Sequence, residues 1–127
     1  FFEPRENVVE SFRAVMKFAV QAFNGRFGKI FGGLIGRAQT DPQLLEAVWS
    51  GWFAQRRNIA HEFIREAISN GELRPDTDGD ILIDALYGAI YYRLLLPYAP
   101  LTDDYIDTVV DYVFNGVIGE NLKKSRK

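Results

Sequence analysis

The stretch from Thr40 to Gly71, TDPQLLEAVWSGWFAQRRNIAHEFIREAISNG, decides the fold. Thr40-Asp41-Pro42 is a helix start: a side chain able to cap, then Pro at the first helical position, where its missing N–H is not needed. Leu45, Val48, Trp49, Trp52, Phe53, Ile59, Phe63, Ile64, Ala67 and Ile68 then form one apolar stripe at three- and four-residue spacing. Ser69-Asn70-Gly71 closes it, and Leu73 supplies the hydrophobic contact that accompanies a glycine cap. The spacing predicts one helix over residues 42–70. At ~1.5 Å per residue it is ~45 Å long, enough to run the length of a small domain.

Upstream, Val8, Val9, Phe12, Val15, Met16, Ala19 and Phe23 repeat the helical period, with Pro4 able to open the helix and Asn24-Gly25 ending it. This predicts a helix over residues 5–24. Residues 26–39 keep the spacing through Phe27, Ile30, Phe31, Leu34 and Ile35, but Gly28, Gly32, Gly33 and Gly36 interrupt it. Each glycine costs a helix interior about 1 kcal/mol relative to Ala, so this element depends on its packing. Two roles fit such a helix: a part that moves, or a smooth face made by Gly28, Gly32 and Gly36 for close approach.

Downstream, Thr77 or Asp78 caps a helix over residues 79–96 that is apolar nearly all round, from Ile81 to Leu96. A helix without a wet face is buried on every side or covered by a second molecule. Asp84, Arg93 and Pro97 interrupt the run, which fits a buried helix rather than a membrane span. Thr102 caps a last helix over residues 103–118. Asp103, Asp107 and Asp111 line one side of it; Ile106, Val109, Val110, Val113, Phe114 and Val117 line the other. Five helices and no strand predict an all-α, antiparallel bundle in a single domain over residues 1–127, with neighbours in sequence packed together through short loops.

Composition narrows the function. The 127 residues contain no Cys, one His and one Met, which excludes a disulfide framework, a thiol nucleophile, a zinc–thiolate centre and two-histidine catalysis. His61-Glu62 begins a zinc-protease pattern, but Arg65 stands where the second histidine is needed. Gly25-Arg26-Phe27-Gly28-Lys29 lacks the spacing and the hydroxyl of a phosphate loop. Asp103, Asp104, Asp107 and Asp111 spread down an outer helix face rather than converging around a turn, so they read as a solvated surface. No metal, no cofactor and no enzymatic activity are expected.

The charge is uneven. A basic tail over residues 121–127 carries Lys123, Lys124, Arg126 and Lys127, leaving eleven basic and seventeen acidic groups before it. With a net charge of −2, the chain itself is not expected to bind nucleic acid. The start at Phe1-Phe2 without an initiator Met suggests a fragment or processed piece. With no signal-like segment at that start, a soluble, cytoplasmic protein that does not engage membranes is expected.

Aromatics are the feature left over, at 14% of residues. Phe12, Met16, Phe31, Trp49, Trp52, Phe53 and Tyr87 either fill a core or border a mostly apolar ligand cavity, because both use the same side chains. Arg56 is the charged group near them, which favours a neutral or weakly anionic ligand over a cation.

Five segments in order carry a resemblance: Ala38-Gln39-Thr40-Asp41-Pro42-Gln43-Leu44, Arg56-Arg57, Gly71-Glu72-Leu73-Arg74-Pro75-Asp76, Gly88-Ala89-Ile90-Tyr91-Tyr92-Arg93-Leu94-Leu95 and Leu101-Thr102. Over residues 7–118 the chain resembles the C-terminal domain of TetR-family transcriptional regulators. The resemblance implies an effector-binding, homodimerising domain that meets DNA only through an N-terminal helix-turn-helix domain absent from this chain. It implies a small apolar or aromatic effector inside the bundle and a dimer contact on the last two helices. Ala89, Arg93, Leu96, Ile106, Val110, Val113 and Phe114 are the interface candidates there. A helical carrier, or a structural dimerisation module with a filled core, is the alternative.

Overall fold

The computed structural model describes residues 7–125, so the expected opening at Pro4 and the last two tail residues lie outside the described residues. Helix α1 is Val8–Phe23. The Asn7 side-chain oxygen accepts from the Glu10 N–H at 2.9 Å and caps it. Val8, Phe12, Met16, Val20 and Phe23 point inward along one face. Helix α2, Arg26–Ala38, is helical throughout despite its glycines.

The expected single helix over 42–70 is divided. Helix α3 spans Pro42–Val48, a π-helical turn occupies Trp49–Phe53, and α4 spans Ala54–Ser69. Within the turn the Ala54 N–H bonds the Trp49 carbonyl, five residues back instead of four. Ser50-Gly51, both modest helix formers, lie in this turn, and its three large rings gain lateral room from the widened backbone. Beyond α4, Gly71 adopts φ +86°, and the N–H groups of Glu72 and Leu73 both bond the Ala67 carbonyl. This is a left-handed glycine cap.

Helix α5 is Gly79–Leu95, capped by the Asp78 carboxylate on the Ile81 N–H. Helix α6 is Asp103–Asn115, capped by the Thr102 hydroxyl on the Tyr105 N–H. It ends earlier than the expected residue 118, because Gly116 takes φ +81° and leaves Val117 exposed. The stretch expected as a bare basic tail contains a short helix α7, Glu120–Ser125, that packs on no other described element.

No strand occurs among the described residues, and the architecture is a helical bundle centred on α1 and α5. Helix α1 packs on α2, α4, α5 and α6; α5 packs on α1, α2, α4 and α6. Phe12, Met16, Ile64, Ile83, Leu86, Ile90, Ile106 and Val110 meet between them as the fully buried core. Around that core, Arg13 and Lys17 of α1 both reach Asp107 of α6, at 2.8 and 2.9 Å. The Asn24 amide donates to the Leu101 carbonyl and ties the end of α1 to the start of α6. No helix among the described residues is long and apolar enough to cross a membrane.

Candidate functional site

A cavity of about 560 Å³ opens beside the core, between α1, the π turn and α5. Ligand pockets commonly measure about 300–1,000 Å³. Val15, Phe18, Ala19, Ala22 and Phe23 of α1 form one wall, and Trp49, Trp52 and Phe53 of the π turn form another. Ile83, Tyr87, Gly88, Ile90 and Tyr91 of α5 form the third, with Arg56, Arg57 and Asp84 among the lining groups. Helical geometry explains α5: Asp84, Tyr87 and Tyr91 succeed one another at three- and four-residue spacing, so they share a flank.

The walls are built from ring contacts. Phe23, Phe27 and Phe31 stack at 5.6–5.8 Å between centroids, and Trp52 leans on Phe31 at 4.8 Å. Phe53 meets Tyr91 edge-on at 5.3 Å and stacks on Trp49 at 6.0 Å. Of the seven residues expected to border a cavity, Trp49, Trp52, Phe53 and Tyr87 do so. The other three are corrected to core. Phe12 and Met16 are fully buried and Phe31 nearly so, sandwiched in the ring stack behind the cavity wall. Tyr91 escaped the sequence reading, although its position four residues after Tyr87 on one helix face is the signal that finds it.

The polar groups of the cavity are few. Arg57 donates to the carboxylates of Asp84 at 2.9 Å and Asp80 at 3.1 Å, and His61 lies 2.7 Å from the same Asp80 oxygen. The His61 and Arg57 hydrogen bonds hold the Asp80 carboxyl below its ordinary value. Arg56 is placed differently. Its guanidinium lies 3.5 Å above the Trp52 ring and donates to the Trp52 carbonyl at 3.0 Å, with no carboxylate in ion-pair reach among the described residues. The buried Trp52 indole N–H is directed at the Tyr91 hydroxyl without completing a hydrogen bond to it. Burial pushes the Tyr87 and Tyr91 hydroxyls up, opposed at Tyr91 by the Trp52 N–H and the Arg56 charge. Both phenols are therefore protonated at neutral pH and able to donate. Among the described residues no cluster of three or more His, Asp or Glu side chains could hold a metal ion.

The candidate interface residues on α5 and α6 separate into inner and outer sets. Ile106 and Val110 have no exposed surface, so they belong to the protomer core and are unavailable to a partner. Val113 and Phe114 pack half-buried against that core. Arg93 lies 3.7 Å over the Tyr105 ring and donates to the Pro100 carbonyl, an arrangement internal to the protomer. Ala89 is half-buried, its carbonyl accepting from the Tyr105 hydroxyl at 2.8 Å. Leu96 alone of the seven is well exposed, and it has company the sequence reading passed over. Ile81, Tyr92 and Leu95 of α5, with Tyr98, are also exposed, as is Tyr112 of α6. Ile81, Ala85, Gly88, Tyr92 and Leu95 follow at four-, three-, four- and three-residue steps, a second apolar face opposite the buried Ile83–Leu86–Ile90 face.

The chain is thus a helical-bundle domain with a side cavity walled by α1, the π turn and α5. Residues 4–113 match the tetracycline repressor-like C-terminal domain family, and the chain belongs to it. It is 37% identical over 100 residues to the uncharacterized HTH-type transcriptional regulator YdeS of Bacillus subtilis, covering 79% of this chain and 50% of that protein. It superposes on the crystal structure of the TetR family transcription regulator SCO0332 with a TM-score of 0.87 at 35% identity, covering 93% of this chain and 65% of that one. The chain thus spans about half to two thirds of the length of these relatives.

Proposed function

We propose that this chain is the effector-sensing, homodimerising domain of a cytoplasmic, non-enzymatic DNA-binding regulator, and that the effector occupies the α1–π turn–α5 cavity. The observation that carries the reading is the cavity itself: about 560 Å³ left open among aromatic walls, beside the buried core. Side chains in a stable fold ordinarily close such a space, so its persistence is an argument for an occupant. Dimerisation is supported by the outward apolar face of α5. DNA contact belongs to a helix-turn-helix domain outside this chain, as the net charge of −2 suggests.

Tryptophan fluorescence tests the cavity directly, because the only two Trp residues of the chain, Trp49 and Trp52, both line it. Titration with a library of small aromatic and aliphatic compounds should find members that shift or quench the emission saturably. A library without one active member would overturn the effector reading.

A further inference from the structure

The hydrogen-bonding groups of the cavity are unbalanced. Arg57 is spent on Asp80 and Asp84, and Asp84 is thereby neutralised. The Gln39 amide N–H is committed to the Ile35 carbonyl. What remains is Arg56 and the Tyr87 and Tyr91 hydroxyls, the buried Trp52 N–H being directed at the Tyr91 oxygen. A guanidinium carries five N–H groups, and Arg56 uses one of them on the Trp52 carbonyl. Two arginines and two aspartates meet here, but both aspartates are paired with Arg57, so Arg56 is the cation without a carboxylate partner among the described residues. Arg56 is exposed while Trp52, Phe53, Tyr87 and Tyr91 are half-buried, so charge sits at the mouth beside the exposed Trp49.

We propose that the occupant is an amphipathic organic carboxylate, with its apolar body between Trp49, Phe53 and Tyr91 and its carboxylate received at the mouth by the Arg56 guanidinium. The proposal rests on the effector reading above and names the chemical class that reading leaves open. A carboxylate supplies acceptors to the Arg56 N–H groups that the Trp52 carbonyl leaves unused. It matches the planar fork of a guanidinium with two parallel hydrogen bonds, and such charge-assisted pairs are about twice as strong as neutral ones. A cationic ligand meets an uncompensated arginine, and a purely apolar one leaves the donors unanswered. Stacking on Trp52 holds the Arg56 plane in place before the ligand arrives, which lowers the ordering cost of binding.

The test uses one carbon skeleton in three charge states: naphthalene-2-carboxylate, its primary amide and 2-(aminomethyl)naphthalene, titrated calorimetrically into the chain and into Arg56→Gln and Arg56→Lys. The carboxylate is expected to bind at least tenfold more tightly than the amide, with the amine weakest. Arg56→Gln removes that gap and leaves the amide affinity within about twofold. Arg56→Lys restores part of it, since the charge returns without the fork. Equal binding of acid and amide, a preference for the amine, or a tenfold gap that survives in Arg56→Gln overturns the carboxylate assignment and leaves the effector reading standing. If none of the three binds, and decanoate and decanol also leave the Trp emission unchanged, both readings fall together. A thermal melt of each variant confirms folding, which the exposed position of Arg56 favours.

Discussion

The corner between α1 and α2 allows a sharp test of what the glycines of α2 do. A Cβ added at Gly28 falls 1.8 Å from the Phe23 carbonyl oxygen, 2.6 Å from its carbon and 2.9 Å from its Cα. Close carbon–oxygen contacts settle near 3.3 Å, so Gly28→Ala forces the two helices apart by about 1.5 Å. The obstacle is backbone, and no rotamer change relieves it. Moving it displaces Phe23, whose ring stacks on Phe27 and Phe31 and lines the cavity. Overpacking of this kind costs about 1–3 kcal/mol or more, while the better helix propensity of Ala returns about 1 kcal/mol. Gly33 and Gly36 provide the control. A Cβ at either meets nothing within 4 Å, so Gly33→Ala and Gly36→Ala collect the propensity gain with no clash. For a domain of this size 1 kcal/mol moves Tm by about 3–5 °C. Thermal unfolding should therefore show Gly28→Ala lowered by several degrees and the other two each raised by about 3 °C. Hydrogen exchange supplies the second readout: amides of α2 exchange faster in Gly28→Ala and slower in the other two, with α6 unchanged. A neutral or stabilising Gly28→Ala, or one common effect at all three positions, refutes the close-approach argument.

Two further outcomes are expected. Burial raises the folded-state pKa of the Tyr87 phenol, so its contribution to stability is complete below the unfolded value of about 10 and is lost as pH rises through the folded value; alkaline melts should show Tyr87→Phe declining less steeply than the parent above that pH. Sedimentation should give a dimer at micromolar concentration that Tyr92→Glu, on the outward face of α5, converts to a folded monomer; a monomeric parent chain, or a variant that stays dimeric, refutes the interface.

Most of the fold is legible in the sequence because its signals are local. Asp41-Pro42, Asp78 and Thr102 each cap a helix with their own side chain, on the N–H groups of Leu44, Ile81 and Tyr105. Such a bond spans three residues and needs no tertiary context. The π turn is illegible for the converse reason. Leu45, Val48, Trp49, Trp52 and Phe53 keep the ordinary period, and the contacts of Trp52 with Phe31 of α2 and of Phe53 with Tyr91 of α5, which accompany the wider turn, are tertiary. The end of α6 lies between these cases: Gly116 marks it, while the apolar Val117 and Ile118 continue the periodic pattern past it.

Separating cavity from core asks more of a sequence than periodicity contains. Phe12, Met16 and Phe31 differ from Trp49 and Phe53 in no local property, yet the first three fill space and the last two border it. The difference lies in how far neighbouring helices stand apart, a sum over many contacts. One local signal does bear on it. The apolar stripe of the 42–70 segment should continue from Phe53 at residues 56 or 57, and both are arginine. A charged pair on an otherwise apolar face cannot sit in a sealed core without partners. The structure resolves the pair in two ways: Arg57 turns to Asp80 and Asp84, whereas Arg56 stays on the Trp52 ring at the cavity mouth with no carboxylate among the described residues. The break in the stripe therefore falls inside the cavity-lining stretch, which runs from Leu45 to Ile59 ahead of the buried Ala60, Ile64 and Ala67. The α5 helix shows the same limit in reverse. Its apolar residues surround the axis, so no period separates the Ile83–Leu86–Ile90 face turned to the core from the Ile81–Tyr92–Leu95 face turned outward. Asp84, the single acid within the helix beyond its first turn, is the one local mark of the rotation: it pairs with Arg57 on the flank that carries Tyr87 and Tyr91 toward the cavity.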